Sequence, residues 1–514
     1  MASRQFKSSL LSFQERGFFD GLEINRGIER ESLRVDKNGN ISQKNHPKNL
    51  GSPLTNKDIT TDFSEALVEL VTPTFNSAEG LFAHLSDLHH FLYDCLEDEI
   101  LWNFSMPCAF EDQAEIRLAE YGNSNQGMLK HIYRKGLKLR YGSIMQSVSG
   151  IHYNFSLSEK SWSTISDAPS QDLINTKYLS LIRNVKRNFW FLLSHFGASP
   201  VAHKSYLYGR DHSLEKYGTE DLFLPDATSL RMSDVGYQSP IQESLQIKYN
   251  NLDEFINAVI KGINTPNKKF EQMGLFDSAG VPQQISAGIL QIENELYDII
   301  RPKRTGPSGE RPSTLLKQYG IEYIELRGLD INPFMPEGIS ENGIKLLDIF
   351  LMHSLVSESP DISKDEAQEI SSNNHKMVIN GRSKALKLIK NGVSCSLSEI
   401  KKTYYEELNL VAEAMDSYSS GYLNAFVSEI KLNPSLSKKI MEEMEAQKMS
   451  FAEYGLAHSQ SIASSYPKPA NRDFSRFVNS SKDSIKDLKK IEETPSMDIN
   501  KYVELYNSKL KEEK

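Results

Sequence analysis

Two glutamates, Glu29 and Glu31, stand two positions apart within residues 27–35, GIERESLRV. If this stretch is a β-strand, both carboxylates point to the same face, ~6–7 Å apart along the strand. At an effective dielectric of about 20, a close pair of like charges costs roughly 4 kcal/mol. The pair therefore indicates either a surface solvated by water or a site that holds a cation.

Three other segments alternate apolar and polar residues in the same way, namely residues 151–157, 290–297 and 321–327. Their polar positions carry imidazole, carboxylate, guanidinium and phenol groups instead of the Lys, Thr and Ser of an ordinary half-exposed strand. We therefore predict four strands whose polar faces together suit a metal ion and a phosphate group.

The bulk composition excludes several classes of protein. The chain has 514 residues, of which 39% are hydrophobic and 25% charged, as is ordinary for a globular protein. Its net charge of −9 argues against a nucleic-acid partner, which requires a basic surface. Three widely spaced cysteines suggest neither a disulfide framework nor a structural zinc site, so a reducing cytoplasm fits best. No apolar run is long enough to span a membrane, and residues 1–20 predict an amphipathic helix with Phe6, Leu10 and Phe13 on one side, not a signal peptide.

The chain changes character near residue 335. Before this point strand-like segments alternate with helical ones, and beyond it the apolar spacing predicts helices at residues 343–356, 398–415 and 436–447. No Ser/Gly-rich linker separates the two parts. We therefore predict one domain over residues 1–514, with a sheet-bearing core at 20–335, a helical C-terminal part at 336–514 and a peripheral tail from Pro467 onward.

Two features resemble functional sites but favour a simpler interpretation. Residues 81–96 predict an amphipathic helix, and its polar side carries residues spaced like metal ligands: His84, Asp87, His90 and Asp94. We interpret these residues as the solvated face of a surface helix. Cys108 has no catalytic-cysteine context around it and is interpreted as a buried, inert thiol.

A loop at residues 301–312 contains four cations, Arg301, Lys303, Arg304 and Arg311, among several Gly and Pro residues. Such a loop can close over phosphate groups. It lacks the spacing of a P-loop, and no dinucleotide-binding fingerprint occurs in the chain. A bound nucleotide would therefore have to be held by the sheet and this loop.

The candidate metal ligands are rich in oxygen: Glu29, Glu31, Asp62, Glu69, His152 and Glu325. Such a set suits Mg²⁺ or Mn²⁺ better than zinc. Each residue alone has another explanation. Asp62 could cap a helix through Glu65, Glu69 could face water, and His152 could be a hydrogen-bonded core histidine. The occurrence of all six on several polar segments favours the metal site.

The candidate substrate residues are Arg134, Gln146, Arg231, Tyr133, Tyr237 and Tyr297. A guanidinium such as that of Arg231 can clamp an α-carboxylate with two hydrogen bonds. The alternative for Arg231 is a salt bridge with Asp234, and the alternative for the tyrosines is core packing. Arg327 could likewise be part of a surface ion pair.

Eight motifs occur in the order typical of one protein family. They are 27–34 (GIERESLR), 60–67 (TTDFSEAL), 140–150 (RYGSIMQSVSG), 151–156 (IHYNFS), 227–237 (ATSLRMSDVGY), 290–297 (LQIENELY), 320–327 (GIEYIELR) and 329–334 (LDINPF). With these motifs the chain resembles the proteobacterial type of glutamate–cysteine ligase over residues 20–335. Two stretches depart from the family pattern: residues 202–209 match nothing in it, and Gly328 replaces an expected serine.

The resemblance implies an α+β fold, in which a curved antiparallel sheet forms a funnel like that of glutamine synthetase, with helices packed behind it. It implies that ATP drives the joining of L-glutamate to L-cysteine in the first step of glutathione synthesis, with glutathione as a feedback inhibitor. A cytoplasmic monomer without nucleic-acid or membrane partners is expected, and the chain has no room for the second ATP-using domain of bifunctional relatives.

The resemblance also assigns roles to residues. The family's Mg²⁺ ligands correspond to Glu29, Glu31, Asp62, Glu69, His152 and Glu325. Arg231 would bind glutamate, with Arg134 and Gln146 nearby, and Tyr133, Tyr237 and Tyr297 would line the cysteine pocket. Arg327 would face the transferring phosphoryl group, so the expected catalytic residues are Arg327, Glu29 and Glu325.

Three other functions are compatible with these residues. A ligase of the same kind could use another small amine in place of cysteine. A metal-dependent phosphohydrolase could use the acidic residues to activate water. An amino-acid sensor could bind glutamate without turnover, although it would have no reason to carry so many carboxylates.

Overall fold

The computed structural model describes residues 2–307, 309–432, 435–468 and 472–510. Ser308 of the predicted loop 301–312, and residues 469–471 and 511–514 of the predicted tail, lie outside the described residues, as do Met1 and residues 433–434.

The strands are β1 Ile24–Asp36, β2 Ile59–Thr61, β3 Leu67–Val71, β4 Glu99–Trp102, β5 Ile151–Leu157, β6 Val201–His203, β7 Glu215–Tyr217, β8 Asp221–Phe223, β9 Ile300–Lys303, β10 Tyr323–Leu329, β11 Lys387–Lys390 and β12 Val393–Ser396.

The helices are α1 Arg4–Glu15, α2 Ala78–Cys95, α3 Asn125–Tyr141, α4 Glu159–Ile165, α5 Gln171–Arg187, α6 Phe189–Phe196, α7 Pro240–Glu243, α8 Leu252–Asn264, α9 Lys268–Met273, α10 Pro312–Tyr319, α11 Glu341–Val356, α12 Lys364–Asn380, α13 Leu397–Met415, α14 Tyr422–Val427, α15 Leu436–Gln447, α16 Phe451–Ser464, α17 Ser475–Glu493 and α18 Ile499–Ser508.

Seven strands form one antiparallel sheet in the order β2-β3-β1-β5-β10-β9, with β4 also paired to β1. The strands β1, β5 and β10 were predicted from their alternation, and the structure confirms all three. Their apolar residues, such as Ile28 and Phe155, are fully buried on one face. Helix α11 packs behind that face and is itself almost entirely buried. The opposite, polar face is left to form a site.

The strand register brings the chemically active residues side by side. Glu29 lies opposite His152 across β1 and β5, and Glu31 lies opposite Glu69 across β1 and β3. Glu325 of β10 lies opposite Arg301 of β9. Since opposed residues in a sheet point to the same face, residues distant in sequence meet on the polar side.

One strand prediction is wrong. Residues 290–297 form a loop with a short 3₁₀ turn at Glu293–Glu295. The carboxylate of Glu295 accepts a hydrogen bond from the backbone N–H of Gln291 at 2.7 Å and forms an ion pair with Arg140 at 2.9 Å. Because the Glu295 side chain accepts the hydrogen bond that the backbone N–H of Gln291 would otherwise donate to a neighbouring strand, this segment is stable as a loop.

The helix cap considered for Asp62 is also wrong. The backbone N–H of Asp62 donates to the carbonyl of Leu67 at 3.0 Å, and that of Leu67 donates to Ser64 at 3.0 Å. Residues 62–66 therefore form a tight reversal between β2 and β3. This reversal places the Asp62 carboxylate beside the polar face of the sheet.

The helical predictions for 81–96, for the N-terminus and for the C-terminal part are confirmed by α2, α1, α11, α13 and α15. The hairpin of β11 and β12 was not predicted. On α2, Asp87 pairs with Arg472 at the surface, but His84 is buried against Phe477, so the solvated-face interpretation is wrong for His84.

The predicted peripheral tail is wrong. Helix α17 packs on residues 48–55, where the backbone N–H of Ser52 donates to Ser484 Oγ at 2.9 Å. Gly51 has a φ of +83°, and a Cβ there would lie 2.3 Å from the same hydroxyl, so the contact requires glycine. Helix α18 contacts α3. The tail is therefore part of the folded body.

No described helix is long and apolar enough to cross a membrane. All three cysteines are free, and burial raises the pKa of the Cys108 thiol well above its ordinary value, as an inert thiol requires. Gly328 stands where a serine was expected because a Cβ there would meet the Phe189 ring at 2.5 Å.

Candidate active site

The polar face of the sheet and helix α3 enclose one cavity of about 450 Å³. Every predicted site residue lines it: Glu29, Glu31, Asp62, Glu69, Tyr133, Arg134, Gln146, His152, Arg231, Tyr237, Tyr297, Glu325 and Arg327. The structure thus brings together residues drawn from four strands, one α-helix and four connecting segments.

One part of the cavity holds what we call the acidic cluster, made of Glu29, Glu31, Asp62, Glu69, His152 and Glu325. His152 is at its centre, with Nδ1 3.1 Å from Glu29 Oε2 and Nε2 3.7 Å from Glu31 Oε1. Two groups of potential ligand atoms lie within 4.8 Å of one another: Glu29 with His152 and Glu325, and Glu31 with Glu69 and His152. Asp62 belongs to neither group.

The acidic cluster carries uncompensated negative charge on one side. Burial, followed by the charge of Glu29, raises the pKa of Glu69 well above its ordinary value. Burial, followed by the charge of Asp62, also raises the pKa of Glu31. Burial and neighbouring negative charges thus both act against the ionisation of these two carboxylates.

The other side of the cluster is electrically balanced. Burial raises the pKa of Glu325, but Lys303 and Arg327 outweigh it and hold the pKa well below its ordinary value. Lys303 Nζ lies 3.2 Å and Arg327 Nη1 3.0 Å from this carboxylate. A hydrogen bond from His152 similarly overcomes burial and lowers the pKa of Glu29.

The donor set fits a hard divalent cation. Five carboxylates and one imidazole, without a thiolate, form the ligand set that Mg²⁺ and Mn²⁺ prefer. A bound cation would favour the ionised forms of Glu31 and Glu69, whose pKa values burial and like charges raise.

The second part of the cavity combines guanidinium and phenol groups. Arg327 Nη2 donates to the Tyr237 hydroxyl at 2.9 Å, and the Tyr237 and Tyr297 rings meet edge to face at 4.4 Å. Gln146 Nε2 donates to the Tyr297 hydroxyl at 2.9 Å. These contacts fix the rings as one wall of a small pocket.

Arg231 is buried without a close carboxylate partner. Its nearest is Asp330 at 3.6 Å, not Asp234, and its Nε has no hydrogen-bond partner in the described protein. Gly150 makes room for the guanidinium, because a Cβ there would lie 2.1 Å from Arg231 Nη2. A buried guanidinium with an unused donor suits an anionic ligand such as a carboxylate.

Arg134 is held by the backbone. Its Nε donates to the carbonyl of Asp62 and its Nη1 to that of Lys130 at 3.0 Å. Its guanidinium also lies 4.5 Å from the centre of the Tyr121 ring. These contacts fix Arg134 at the boundary between the acidic cluster and the phenol wall.

Several cavity residues were not singled out from the sequence: Lys130, Glu293, Asn294, Tyr502 and Tyr506. Lys130 could have been found, since it lies one turn before Arg134 on α3. The predicted loop 301–312 is wrong at both ends, since Arg301 and Lys303 belong to β9 and Pro312 begins α10, and its four cations differ in their contacts. Arg301 and Lys303 line the cavity, Arg311 pairs with Glu293 at 2.8 Å, and Arg304 contacts Glu322 outside it.

The chain is similar to proteins of one family. The family model for glutamate–cysteine ligase matches residues 14–378. The glutamate–cysteine ligase of Alcanivorax borkumensis is 42% identical over 448 residues, covering 84% of this chain and 85% of the relative. That of Saccharophagus degradans is 40% identical over 498 residues, covering 94% of each.

Solved structures of related proteins resemble this chain as well. A crystal structure of glutamate–cysteine ligase from Francisella tularensis in complex with AMP matches with a TM-score of 0.89 and 33% identity, covering 96% of this chain and 99% of that one. A bifunctional glutathione synthetase from Pasteurella multocida shares the fold, with a TM-score of 0.67 and 23% identity over 89% of this chain and 55% of that one.

These matches identify an enzyme of the ligase class and confirm the predicted α+β fold, an open curved antiparallel sheet with helices. The chain belongs to the glutamate–cysteine ligase family.

Proposed function

We propose that this enzyme uses ATP to join the side-chain carboxylate of L-glutamate to the amine of L-cysteine, giving γ-glutamylcysteine, ADP and phosphate in the first step of glutathione synthesis. The observation that carries the proposal is the acidic cluster beside Arg327 on one sheet face, within a member of this family. A phosphoryl-transfer site needs metal-binding carboxylates and a cation next to each other.

The acidic cluster would hold Mg²⁺, or Mn²⁺ in its place. Glu29, His152 and Glu325 would form one part of the site, and Glu31 and Glu69 the other, with Asp62 adding charge nearby. When bound, the ions would neutralise the phosphate groups of ATP and lower the cost of charge movement.

The chemistry requires activation of a carboxylate, because an amine does not displace its oxygen in water near neutral pH. We propose that the γ-carboxylate of glutamate takes the terminal phosphoryl group of ATP. The neutral amine of cysteine then attacks the carbonyl carbon of γ-glutamyl phosphate, the carbon–oxygen bond to phosphate breaks, and phosphate leaves with the proton that the amine nitrogen gives up. Arg327, fixed between Glu325 and Tyr237, is positioned to stabilise charge on the transferring group.

The amino-acid substrates would occupy the guanidinium and phenol part of the cavity. Arg231, with its unused donor, would bind the carboxylate of glutamate, with Arg134 and Gln146 beside it. Tyr133, Tyr237 and Tyr297 would enclose cysteine. Orientation of reacting groups in such a pocket can supply about 7–11 kcal/mol of the barrier.

We further propose a cytoplasmic enzyme without nucleic-acid partners, because the free thiols suit a reducing compartment and the net charge is −9. The family resemblance is the ground for proposing a monomer without membrane partners. Glutathione contains the γ-glutamylcysteine unit, so it would bind the amino-acid part of the cavity as a feedback inhibitor.

The test is ADP release with Mg²⁺ and glutamate, titrated in turn with cysteine, 2-aminobutyrate and ammonia. The proposal predicts release that depends on glutamate and is fastest with cysteine. Phosphate release without any amino acid would favour a phosphohydrolase, and preference for another amine would favour a different ligase. Glutamate binding without turnover would favour a sensor.

A further inference from the structure

Asn154 of β5 belongs neither to the acidic cluster nor to the guanidinium and phenol part of the cavity. It lies two positions after His152, so both side chains point to the polar face of the sheet. Asn154 is half-buried and is not among the residues that line the cavity. Any effect that it has on the site must therefore pass through a neighbouring side chain.

The register of the sheet places Asn154 between two neighbouring strands. It lies opposite Gly27 of β1 and opposite Glu325 of β10. Since Gly27 has no side chain, the Asn154 amide can reach diagonally across β1 to Glu29, two residues further along that strand. Nδ2 of Asn154 donates a hydrogen bond to Glu29 Oε1 at 3.0 Å.

Both oxygens of the Glu29 carboxylate are thus held by side chains of β5. Oε1 accepts the hydrogen bond from Asn154, and Oε2 lies 3.1 Å from His152 Nδ1. A carboxylate has about four acceptor positions, so each oxygen keeps one that can face a cation. The two contacts fix the plane of the carboxylate and leave it able to bind an ion.

The Asn154 amide makes this single side-chain contact with the described residues. An ionised carboxylate accepts hydrogen bonds but cannot donate them, so the NH₂ end of the amide faces Glu29. The other end, Oδ1, is buried and has no hydrogen-bond partner in the described part of the chain. An amide that is satisfied at only one end contributes little to the stability of the fold, because its unpaired oxygen carries a desolvation cost.

The carboxylate of Glu325 is held in a different way. Two cations lie against it, Lys303 at 3.2 Å and Arg327 at 3.0 Å. A positive charge beside a metal ligand repels a divalent ion, whereas an amide carries no net charge. The neutral donor at Glu29 therefore orients that carboxylate without opposing the ion that it would bind.

We propose that Asn154 is a positioning residue of the metal site, which holds the Glu29 carboxylate in the orientation that binds the divalent ion. The inference rests on the proposed function, in which Glu29, His152 and Glu325 form one part of that site. Substitution of a residue that hydrogen-bonds to a metal ligand typically lowers metal affinity about 10–100-fold.

The experiment measures ion binding in the absence of nucleotide, not turnover. Electron paramagnetic resonance follows free Mn²⁺ as the ion is titrated into the enzyme. Asn154→Leu keeps the size of the side chain and removes the donor, so it should weaken Mn²⁺ binding about tenfold. Ser156→Ala, two residues further along the same face, is the matched control and should leave the affinity within about twofold of the wild-type value.

A double-variant cycle separates positioning from a general structural role. In a Glu29→Ala background, Asn154→Leu should change the affinity by less than about twofold, because substitutions that act through one contact are not additive. The remaining groups, Glu31, Glu69 and His152, keep Mn²⁺ binding measurable there. The melting temperature of Asn154→Leu in chelator should not fall, since the substitution also removes the buried oxygen without a partner.

Three results would overturn the inference. They are wild-type Mn²⁺ affinity in Asn154→Leu, a tenfold loss that persists in the Glu29→Ala background, and a wild-type enzyme that binds no Mn²⁺ without nucleotide. A loss of affinity together with a lower melting temperature in chelator would likewise assign Asn154 to the fold. An enzyme that binds Mn²⁺ through Glu29 and Asn154 but does not consume ATP with glutamate and cysteine would refute the proposed function and leave this inference standing.

Discussion

The two faces of the central sheet each bury a charged cluster, and the clusters differ in how completely they are paired. On the back face, Asp348 accepts hydrogen bonds from Arg26 Nε at 2.8 Å, from the Tyr153 hydroxyl at 2.7 Å and from the Tyr422 hydroxyl at 3.2 Å. No buried polar atom of these four side chains lacks a partner. We call this set the closed cluster.

The acidic cluster on the front face differs in its charges and in the residues around it. Burial and like charges raise the pKa of Glu69, and neighbouring guanidinium groups of Arg231, Arg301 and Arg327 each have a nitrogen without a partner in the described protein. Since a buried charge is tolerated only when it is paired, the closed cluster needs nothing further, whereas the front face needs a ligand. The two clusters, both built on β1 and β5, thus differ in how their charges are paired, and the buried Arg30 of β1, whose Nε and Nη1 have no partner in the described protein, belongs to neither.

Breaking the closed cluster should have the largest effect on stability. Asp348→Ala leaves the Arg26 guanidinium buried without its counter-ion, which should lower the free energy of unfolding by about 3–5 kcal/mol. Urea unfolding followed by circular dichroism measures this loss. In the double variant Arg26→Met/Asp348→Leu no charge remains, so most of the stability should return. A double variant as unstable as the single one would show that packing, not charge pairing, is decisive.

Breaking the acidic cluster should affect turnover instead. Glu325→Gln and Glu29→Gln should each lower kcat at least about a hundredfold, or about 2.7 kcal/mol, because a neutral amide is a weak ligand for Mg²⁺. The apparent Mg²⁺ requirement should rise in both, with the circular dichroism spectrum unchanged. Turnover like that of the wild type at low Mg²⁺ would contradict the assignment of these residues as ligands.

Much of the front face could be predicted because apolar and polar residues alternate along its strands. In β1, β5 and β10 the sheet period puts one set of residues in the core and the other in the cavity, so Glu29, His152 and Glu325 were identifiable without a structure. The alternation in residues 290–297 was misleading, since Glu295 accepts a hydrogen bond from the backbone N–H of Gln291 within the same loop and pairs with Arg140.

The tail could not be predicted from local sequence. Its charged and polar residues are typical of an exposed helix, and its partners are far away along the chain. Ser484 contacts Ser52, and Tyr506 contacts Arg311, across separations of 432 and 195 residues. Local spacing indicates which side of a helix is apolar, but it does not indicate which cavity that side lines.

A milder substitution tests the closed cluster at a residue adjacent in sequence to the acidic cluster. Tyr153→Phe removes the hydrogen bond to Asp348 Oδ1 and leaves that buried oxygen unpaired, so the free energy of unfolding should fall by about 2 kcal/mol. Because Tyr153 points away from its neighbour His152, kcat should stay unchanged. Tyr208→Phe, at a residue 76% exposed, is the control and should alter neither quantity. A large loss of kcat in Tyr153→Phe would mean that the two faces are coupled.

The smallest expected effect is a gain in the free energy of unfolding, not a loss. In the presence of a chelator, Glu69→Gln should stabilise the protein at pH 7 by about 1 kcal/mol, the repulsion of two charges a few ångströms apart in a water-like medium. In saturating Mg²⁺ the wild type should instead be the more stable protein, since it binds the ion more tightly than the variant and tighter binding stabilises the folded state more. Glu271→Gln, on the exposed side of α9, should show neither effect.

The stability difference between the wild type and Glu69→Gln should depend on pH. Burial and the charges of Glu29, Asp62 and Glu31 raise the pKa of Glu69 in the folded protein, so the folded state holds this proton more tightly than the unfolded chain does. Ionisation of Glu69 therefore lowers stability as the pH rises above its unfolded value of about 4.3, and the penalty is absent at lower pH. Melting curves in chelator should coincide for the wild type and Glu69→Gln below about pH 4 and separate with increasing pH, the variant becoming the more stable. A wild type that gained stability relative to the variant over this range, without metal, would show that the acidic cluster already contains its compensating charge.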